Sequence, residues 1–214
     1  MKTIVRVSPG TSTSGLHPFF KDKKPMVLSC QRSFLKAGGY DITYLLDNCP
    51  DDWEREFAPY GEVIRGVWGK KESLYKACEI GLKMDDDILF LEDDYLWRPR
   101  TVTSLMYGLV RFGFVSPYDH PDFYSPDEPT ATQVYKVGQV LWRRCPTNTH
   151  TFAVRRDILH KYFDIISANQ FDWLMYTRLA VEGIPCFCPI PSFATHLNLG
   201  RLGLGIDWEE IIDK

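Results

Sequence analysis

Three consecutive carboxylates, Glu92, Asp93 and Asp94, follow the apolar run Leu89-Phe90-Leu91. On a strand, the period of two sends Glu92 and Asp94 the same way. Like charges gathered at one point repel unless a cation lies between them, and hard oxygen ligands suit Mn²⁺ or Mg²⁺. The expected chemistry is a carboxylate-held divalent ion that neutralises an anionic ligand. The nearby triplet Asp85-Asp86-Asp87 reads instead as an acidic turn capping the next element.

Composition limits what that ligand is. The 214 residues carry 25 basic and 28 acidic side chains, a net charge of −3, with 44% apolar residues. This is a globular balance without the overall basic footprint of a nucleic-acid binder. An anion must therefore be held by local groups or by a metal. Six cysteines lack a repeated Cys-x-x-Cys pair, and Cys186-Phe187-Cys188 lies in an apolar run, so they are expected as reduced, buried packing residues. The first residues, Met1 to Val7, show no signal core. No stretch reaches the roughly 18 apolar residues of a membrane span. A soluble, cytoplasmic protein without a membrane span is the expectation.

Positioning these acids requires a sheet. Thr3–Val7, Asp41–Leu46, Glu62–Val67 and Asp87–Leu91 read as strands, with helices over Met26–Lys36, Asp51–Phe57 and Lys71–Met84 between them. In the last helix Leu74, Cys78 and Leu82 recur every four residues beside Ala77. Alternating strands and helices predict an α/β fold, a Rossmann-like, mostly parallel central sheet flanked by helices. Ligands bind such sheets beyond the carboxyl ends of the strands, here Ser8, Asp47, Val67-Trp68 and Glu92. The second half predicts a smaller mixed β region. It has strands over Arg111–Ser116, Thr132–Arg143 (a hairpin around Gly138) and Ile184–Ile190. Helices are expected over Asp157–Phe163 and Asp172–Glu182, the latter burying Trp173, Tyr176, Ala180 and Val181, and the chain ends in a helical segment from Trp208. One domain is expected, with a nucleotide-binding half over 1–99 and an acceptor-side half over 100–214, possible as a fragment of a longer protein.

The acids ending the fourth strand, together with Lys70-Lys71-Glu72-Ser73-Leu74 opening a helix that carries Ala77 and Gly81, resemble nucleotide-sugar glycosyltransferases of the GT-A fold. The compact length is similar to glycosyltransferase domains encoded by large algal DNA viruses, which would place the protein in a host cytoplasm. In that family an Asp-x-Asp motif ends the fourth strand; Glu92-Asp93-Asp94 departs from it at the first position. The resemblance implies a UDP-linked sugar donor and a glycan or glycoprotein acceptor. It puts the first acid near the ribose, Asp94 on a divalent metal, and Asp47 beside the base. His196, after the last strand, matches an added metal ligand of the family, or is an ordinary surface or core histidine. Asp172 matches the acid that would take the acceptor hydroxyl's proton, and equally suits a helix N-cap.

Arg6, Lys70, Lys71 and Arg201 are the basic candidates for phosphates by their positions near strand ends or in a flexible loop. The glycine-rich stretch Leu199 to Gly205 is either a lid over the pyrophosphate or a surface loop. Trp68, Trp142 and Trp173 either stack on sugar or base, or belong to the core. A sugar nucleotidyltransferase is disfavoured at this level, because Ser8 to Gly15 lacks a Gly-x-Gly-x-Arg loop. A phosphatase is disfavoured because Glu92 stands where a nucleophilic Asp is needed and Leu96 where a Thr is. A sugar-binding module that kept the fold without turnover is the non-enzymatic alternative.

Overall fold

The β-branched run Thr3-Ile4-Val5 explains the centre of the molecule. It lies in β1 (Lys2–Val7), which is buried on both faces and hydrogen-bonded in parallel to β2 (Ile42–Asp47) and β4 (Ile88–Glu92). The computed structural model describes residues 1–10, 15–125, 133–168, 171–198 and 200–212. β3 (Gly61–Gly66) pairs in parallel with β2 at one edge. Three crossovers, α1 (Lys23–Lys36), α2 (Asp51–Phe57) and α3 (Gly69–Lys83), link these strands.

Alternation along β1 divides the core in two. Ile4 points to the face where Leu74, Ala77 and Cys78 of α3 pack with Leu45 and Phe90. Val5 and Val7 point to the other, covered by Met26, Cys30 and Phe34 of α1 and Trp53 and Phe57 of α2. Helices on both faces of a largely parallel sheet are the expected Rossmann-like architecture.

The second half extends the same sheet. β6 (Phe114–Val115), β7 (Val134–Val137), β8 (Val140–Cys145), β9 (Phe152–Val154) and β10 (Cys186–Ile190) complete the order β3-β2-β1-β4-β9-β6-β10-β8-β7. Among the described strands of this sheet only β8 and β9 run against the rest. β7 and β8 form the expected hairpin, turning at Gly138, whose φ of +59° favours glycine. A separate two-stranded ribbon joins β5 (Tyr95–Trp97) to β11 (Ala194–His196).

Several expectations need correction. Residues 102–112 form a helix, α4 (Val102–Phe112), so the strand expected from Arg111 shrinks to the two residues of β6. Val102, Leu105 and Leu109 recur at helical spacing and bury one face of α4, and Gly113 at φ +80° ends it. The helix expected from Asp157 is two short ones, α5 (Arg156–Lys161) and α6 (Phe163–Ser167). In α7 (Asp172–Val181) the buried face is Met175, Tyr176 and Leu179, whereas Trp173 and Val181 are 54% and 82% exposed. The segment from Trp208 to residue 212 consists of turns rather than a helix, tied down by the buried Trp208, whose Nε1 donates to the Gly203 carbonyl at 2.6 Å. All six cysteines are free and buried. No helix among the described residues is long and apolar enough to cross a membrane.

Candidate functional site

A cavity of about 810 Å³ opens beyond the carboxyl ends of β1, β2 and β4. Ser8, Asp47, Glu92, Asp93, Asp94 and His196 line it, with Arg6, Lys70 and Asp172. Each arrives there for a topological reason: parallel strands end together, so the residues after β1, β2 and β4 share one edge.

The acids do different work. Glu92 ends β4 directly across from Arg6 in the β1–β4 register, and Arg6 Nη2 donates to Glu92 Oε1 at 3.1 Å. Asp93 is an anchor. Its Oδ1 accepts from Lys23 Nζ at 2.7 Å and its Oδ2 from the Ser8 backbone N–H at 2.8 Å. Burial pushes the Asp93 carboxyl up and Lys23 pulls it back, leaving it at about 6. The ion pair ties the chain leaving β1 to the start of α1. Each Asp93 oxygen accepts a bond from the protein, which makes Asp93 an anchor of the site.

Asp94 is the acid left to act. His196 Nε2 lies 3.0 Å from Asp94 Oδ2, brought there by the pairing of His196 with Tyr95 in the β5–β11 ribbon. The imidazole stacks on Tyr95, with ring centroids 5.1 Å apart and planes 8° from parallel. Burial alone would push Asp94 up, but the His196 and Lys23 charges outweigh it and hold the carboxyl at about 2. For His196 burial pulls down, and the Asp94 and Glu92 carboxylates more than offset it, raising its pKa. Asp94 Oδ1 is buried and has no hydrogen-bond partner among the described residues; the same holds for Arg6 Nε and Asn198 Oδ1. All three residues line the cavity, although these particular atoms are closed to solvent.

Asp47 uses Oδ1 to accept the backbone N–H groups of Trp68 and Gly69 at 2.7 and 3.1 Å, which fixes the turn into α3. Asp172 stands in the first turn of α7, where Phe171 is the N-cap, and its Oδ1 accepts the Trp173 N–H at 2.8 Å. Two basic expectations are corrected. Lys71 is exposed on α3 and does not line the cavity. Arg201 lies in a second, adjoining cavity, where its Nη1 donates to His120 Nε2 and Asp122 Oδ2, each at 2.8 Å. Of the expected lid, Leu199 lies outside the described residues, as do residues 11–14 of the Ser8–Gly15 loop. Trp142 is fully buried and Trp68 packs against the core; of the three tryptophans considered, only Trp173 lines a cavity.

Sequence reasoning missed Lys23, Thr149, His150 and Asn198, which also line the first cavity. Lys23 is 70 residues from Asp93, so no local spacing reveals the pair. Thr149 and His150 precede β9. Because β9 runs antiparallel to β4, with Phe152 opposite Phe90, its leading residues reach the edge where β4 ends. Among the described residues no three His, Cys, Asp or Glu side chains converge as a metal cage.

No family model matches the chain, and no curated protein does. Solved structures do. One is a CMP-2-keto-3-deoxy-manno-octonic acid synthetase complexed with CTP, at 18% identity and a TM-score of 0.54, covering 87% of this chain and 88% of that one. Another is the bifunctional IspDF from Campylobacter jejuni, at 14% identity and a TM-score of 0.51, covering 87% of this chain and 48% of that one. A nucleotidyl transferase from Methanothermobacter thermautotrophicus aligns at 12% identity and a TM-score of 0.49, over 87% of this chain and 86% of that one. The first two of these overturn the resemblance to GT-A glycosyltransferases, and with it the sugar transfer to a glycan, the Asp-x-Asp assignment and the viral connection. The reason is physical: an acid ending a parallel strand serves any metal-bound nucleotide on this sheet, whichever bond is broken. The fold is the Rossmann-like α/β sheet of the nucleotidyltransferase type.

Proposed function

We propose that the protein is a nucleotidyltransferase that takes a nucleoside triphosphate in the first cavity and transfers its nucleotidyl group to a sugar-type second substrate. The observation that carries this reading is the gathering of Arg6, Lys70, Asp94 and His196 around one cavity at the carboxyl edge of the sheet. Basic groups beside a carboxylate and an imidazole suit a phosphate chain accompanied by a cation. The fold shared with a synthetase solved with CTP supports the nucleotide, and a cavity of about 810 Å³ is ample for one.

Asp94 and His196 fit a divalent ion, Mg²⁺ or Mn²⁺. Two protein ligands, with the rest supplied by water and substrate phosphates, is the usual way such an ion is held beside nucleotides. When bound there, the ion would offset charge on the departing pyrophosphate. The chain's own residues do the rest. Arg6 and Lys70 attract the phosphates, and Asp47 keeps the turn into α3 in place beneath them. Asp172 lines both cavities and is placed to take a proton from a hydroxyl of the second substrate. In that step the hydroxyl oxygen bonds to the α-phosphorus, and the bond from that phosphorus to the β-phosphate bridging oxygen breaks. Pyrophosphate leaves, and the proton goes to Asp172.

Calorimetric titration with CTP, UTP and ATP in the presence of Mg²⁺ tests the nucleotide site. At least one should bind, and chelation of the metal should weaken it. Failure of every nucleotide to bind would remove the reading.

A further inference from the structure

The second cavity, of about 430 Å³, adjoins the first and shares Thr149, Asp172, His196 and Asn198 with it. Its floor is the turn Pro121–Tyr124 that follows His120, and Trp173 stands at its rim. A tryptophan more than half exposed on an ordered helix is unusual, since Trp is on average among the more buried side chains. Its indole offers a flat apolar face beside polar groups, a surface suited to the C–H face of a sugar ring.

The charge of this cavity is set by Arg201, and Arg201 is already neutralised. Its Nη1 donates to Asp122 Oδ2 and to His120 Nε2. The other ring nitrogen, Nδ1, lies 3.1 Å from the Asp122 backbone N and 3.4 Å from Asp122 Oδ2. Burial favours the neutral imidazole, pulling His120 down to about 4. The turn carrying these groups is itself held from below. Asp119 forms an ion pair with Arg143 Nη2 at 2.5 Å and accepts from Tyr124 Oη at 2.5 Å. With Arg201 balanced by Asp122 and His196 by Asp94, the Asp172 carboxylate leaves the cavity slightly negative. Asn198 stands in the wall shared by the two cavities and adds a polar side chain beside Asp172.

We infer that the second cavity binds an uncharged sugar ring, stacked on Trp173 with a hydroxyl turned toward Asp172 and Asn198, and that it rejects sugars bearing a carboxylate or phosphate on the ring. Calling that sugar the second substrate rests on the nucleotidyltransferase reading; its binding does not. The selectivity comes from Asp122, which cancels the only arginine lining the cavity among the described residues.

The test is titration of the nucleotide-free protein with methyl hexosides and with the matching hexuronates and hexose 6-phosphates, followed by ligand-observed NMR. A neutral hexoside should bind about tenfold more tightly than its charged counterparts, and Trp173→Ala should weaken it about tenfold. Because Trp173 is exposed, that variant should keep its fold, checked by an unchanged unfolding midpoint. Asp122→Asn should free Arg201 and reverse the preference toward the hexuronate or phosphate. Tighter binding of charged sugars by the unaltered protein, no binding of any sugar, or an unaffected Trp173→Ala variant would each overturn the proposal. Sugar binding without nucleotide binding would leave it standing and remove the reaction instead. Nucleotide binding without sugar binding would do the reverse.

Discussion

His196 Nε2 and Asp94 Oδ2 lie 3.0 Å apart although the residues are separated by 102 positions in the chain. Two three-residue strands, β5 and β11, create this contact, and the Leu197 N–H reinforces it by donating to the Asp94 carbonyl at 2.8 Å. The ribbon brings Asp94 and His196 together in the wall of the first cavity.

That contact predicts how metal dependence responds to mutation. Asp94→Ala should abolish Mg²⁺- or Mn²⁺-dependent nucleotide binding. His196→Ala removes the second protein ligand proposed for the ion, and with it the partner of Asp94 Oδ2, and should weaken metal affinity by at least about 10-fold. Titration of Mn²⁺ followed by electron paramagnetic resonance, in the presence of nucleotide, checks both. Equal Mn²⁺ affinity in the two variants and the unaltered protein would put the ion elsewhere.

The same pair predicts a pH window for stability. Asp94 is held below its ordinary 3.8, so its contribution is present above about pH 4 and fades as pH falls toward 2. His196 is raised above its ordinary 6.5, so its contribution is complete below that value and is lost as pH rises through the raised pKa. The pair therefore stabilises most between about pH 4 and pH 6.5. Urea unfolding across this range should show Asp94→Asn losing most stability inside the window and converging on the unaltered protein outside it. Parallel profiles would contradict the assignment.

Lys23 and Asp93 form an ion pair with each side chain about one-tenth exposed or less. Lys23→Met leaves Asp93 buried without its cation, which should cost about 3–5 kcal/mol. A double change, Lys23→Met with Asp93→Leu, should recover much of that loss, because no charge then remains buried. Denaturant midpoints decide this, and a single variant no worse than the double one would count against the anchor.

Asp47→Ala removes the acceptor of two backbone N–H groups at the entrance to α3. Loss of such a cap typically destabilises by about 0.5–2 kcal/mol. Nucleotide affinity should fall as well, since the same turn carries Gly69 and Lys70 into the cavity. Asp47→Asn, which keeps an acceptor oxygen, should recover part of both effects.

Packing offers a separate check on the second half of the sheet. A Cβ at Gly108 would run into the ring of the fully buried Trp142. Gly108→Ala should therefore destabilise by about 1–3 kcal/mol despite the better helix propensity of alanine, read as a lowered thermal midpoint.

The first half of the fold was legible because each element there carries its own period. Leu74, Ala77 and Cys78 mark α3 by helical spacing, and the apolar run before Glu92 marks β4 as a buried parallel strand. The same logic placed Ser8, Asp47 and the three acids at one edge before any contact was known. What stayed hidden depends on distant partners. β9 and β11 are three residues each and are strands only through what they pair with, so the arrival of His150 at the site and the orientation of His196 had no local signal. Asp93 looked equivalent to its neighbours until Lys23 and the Ser8 N–H were found to occupy it. Arg201 was assigned to phosphates from its loop, yet Asp122 and His120 hold it in the second cavity. The reaction class has no local signal, because carboxylates at this edge fit both glycosyl and nucleotidyl transfer.

The central claim is tested most directly by pyrophosphate release. The protein is incubated with each common nucleoside triphosphate, Mg²⁺ and a panel of neutral sugars, and pyrophosphate is counted against an Asp94→Ala control. Pyrophosphate should form together with a nucleotidyl sugar, dependent on one of the sugars and absent in Asp94→Ala. Intact triphosphate under every combination, or pyrophosphate released equally by the Asp94→Ala protein, would contradict it.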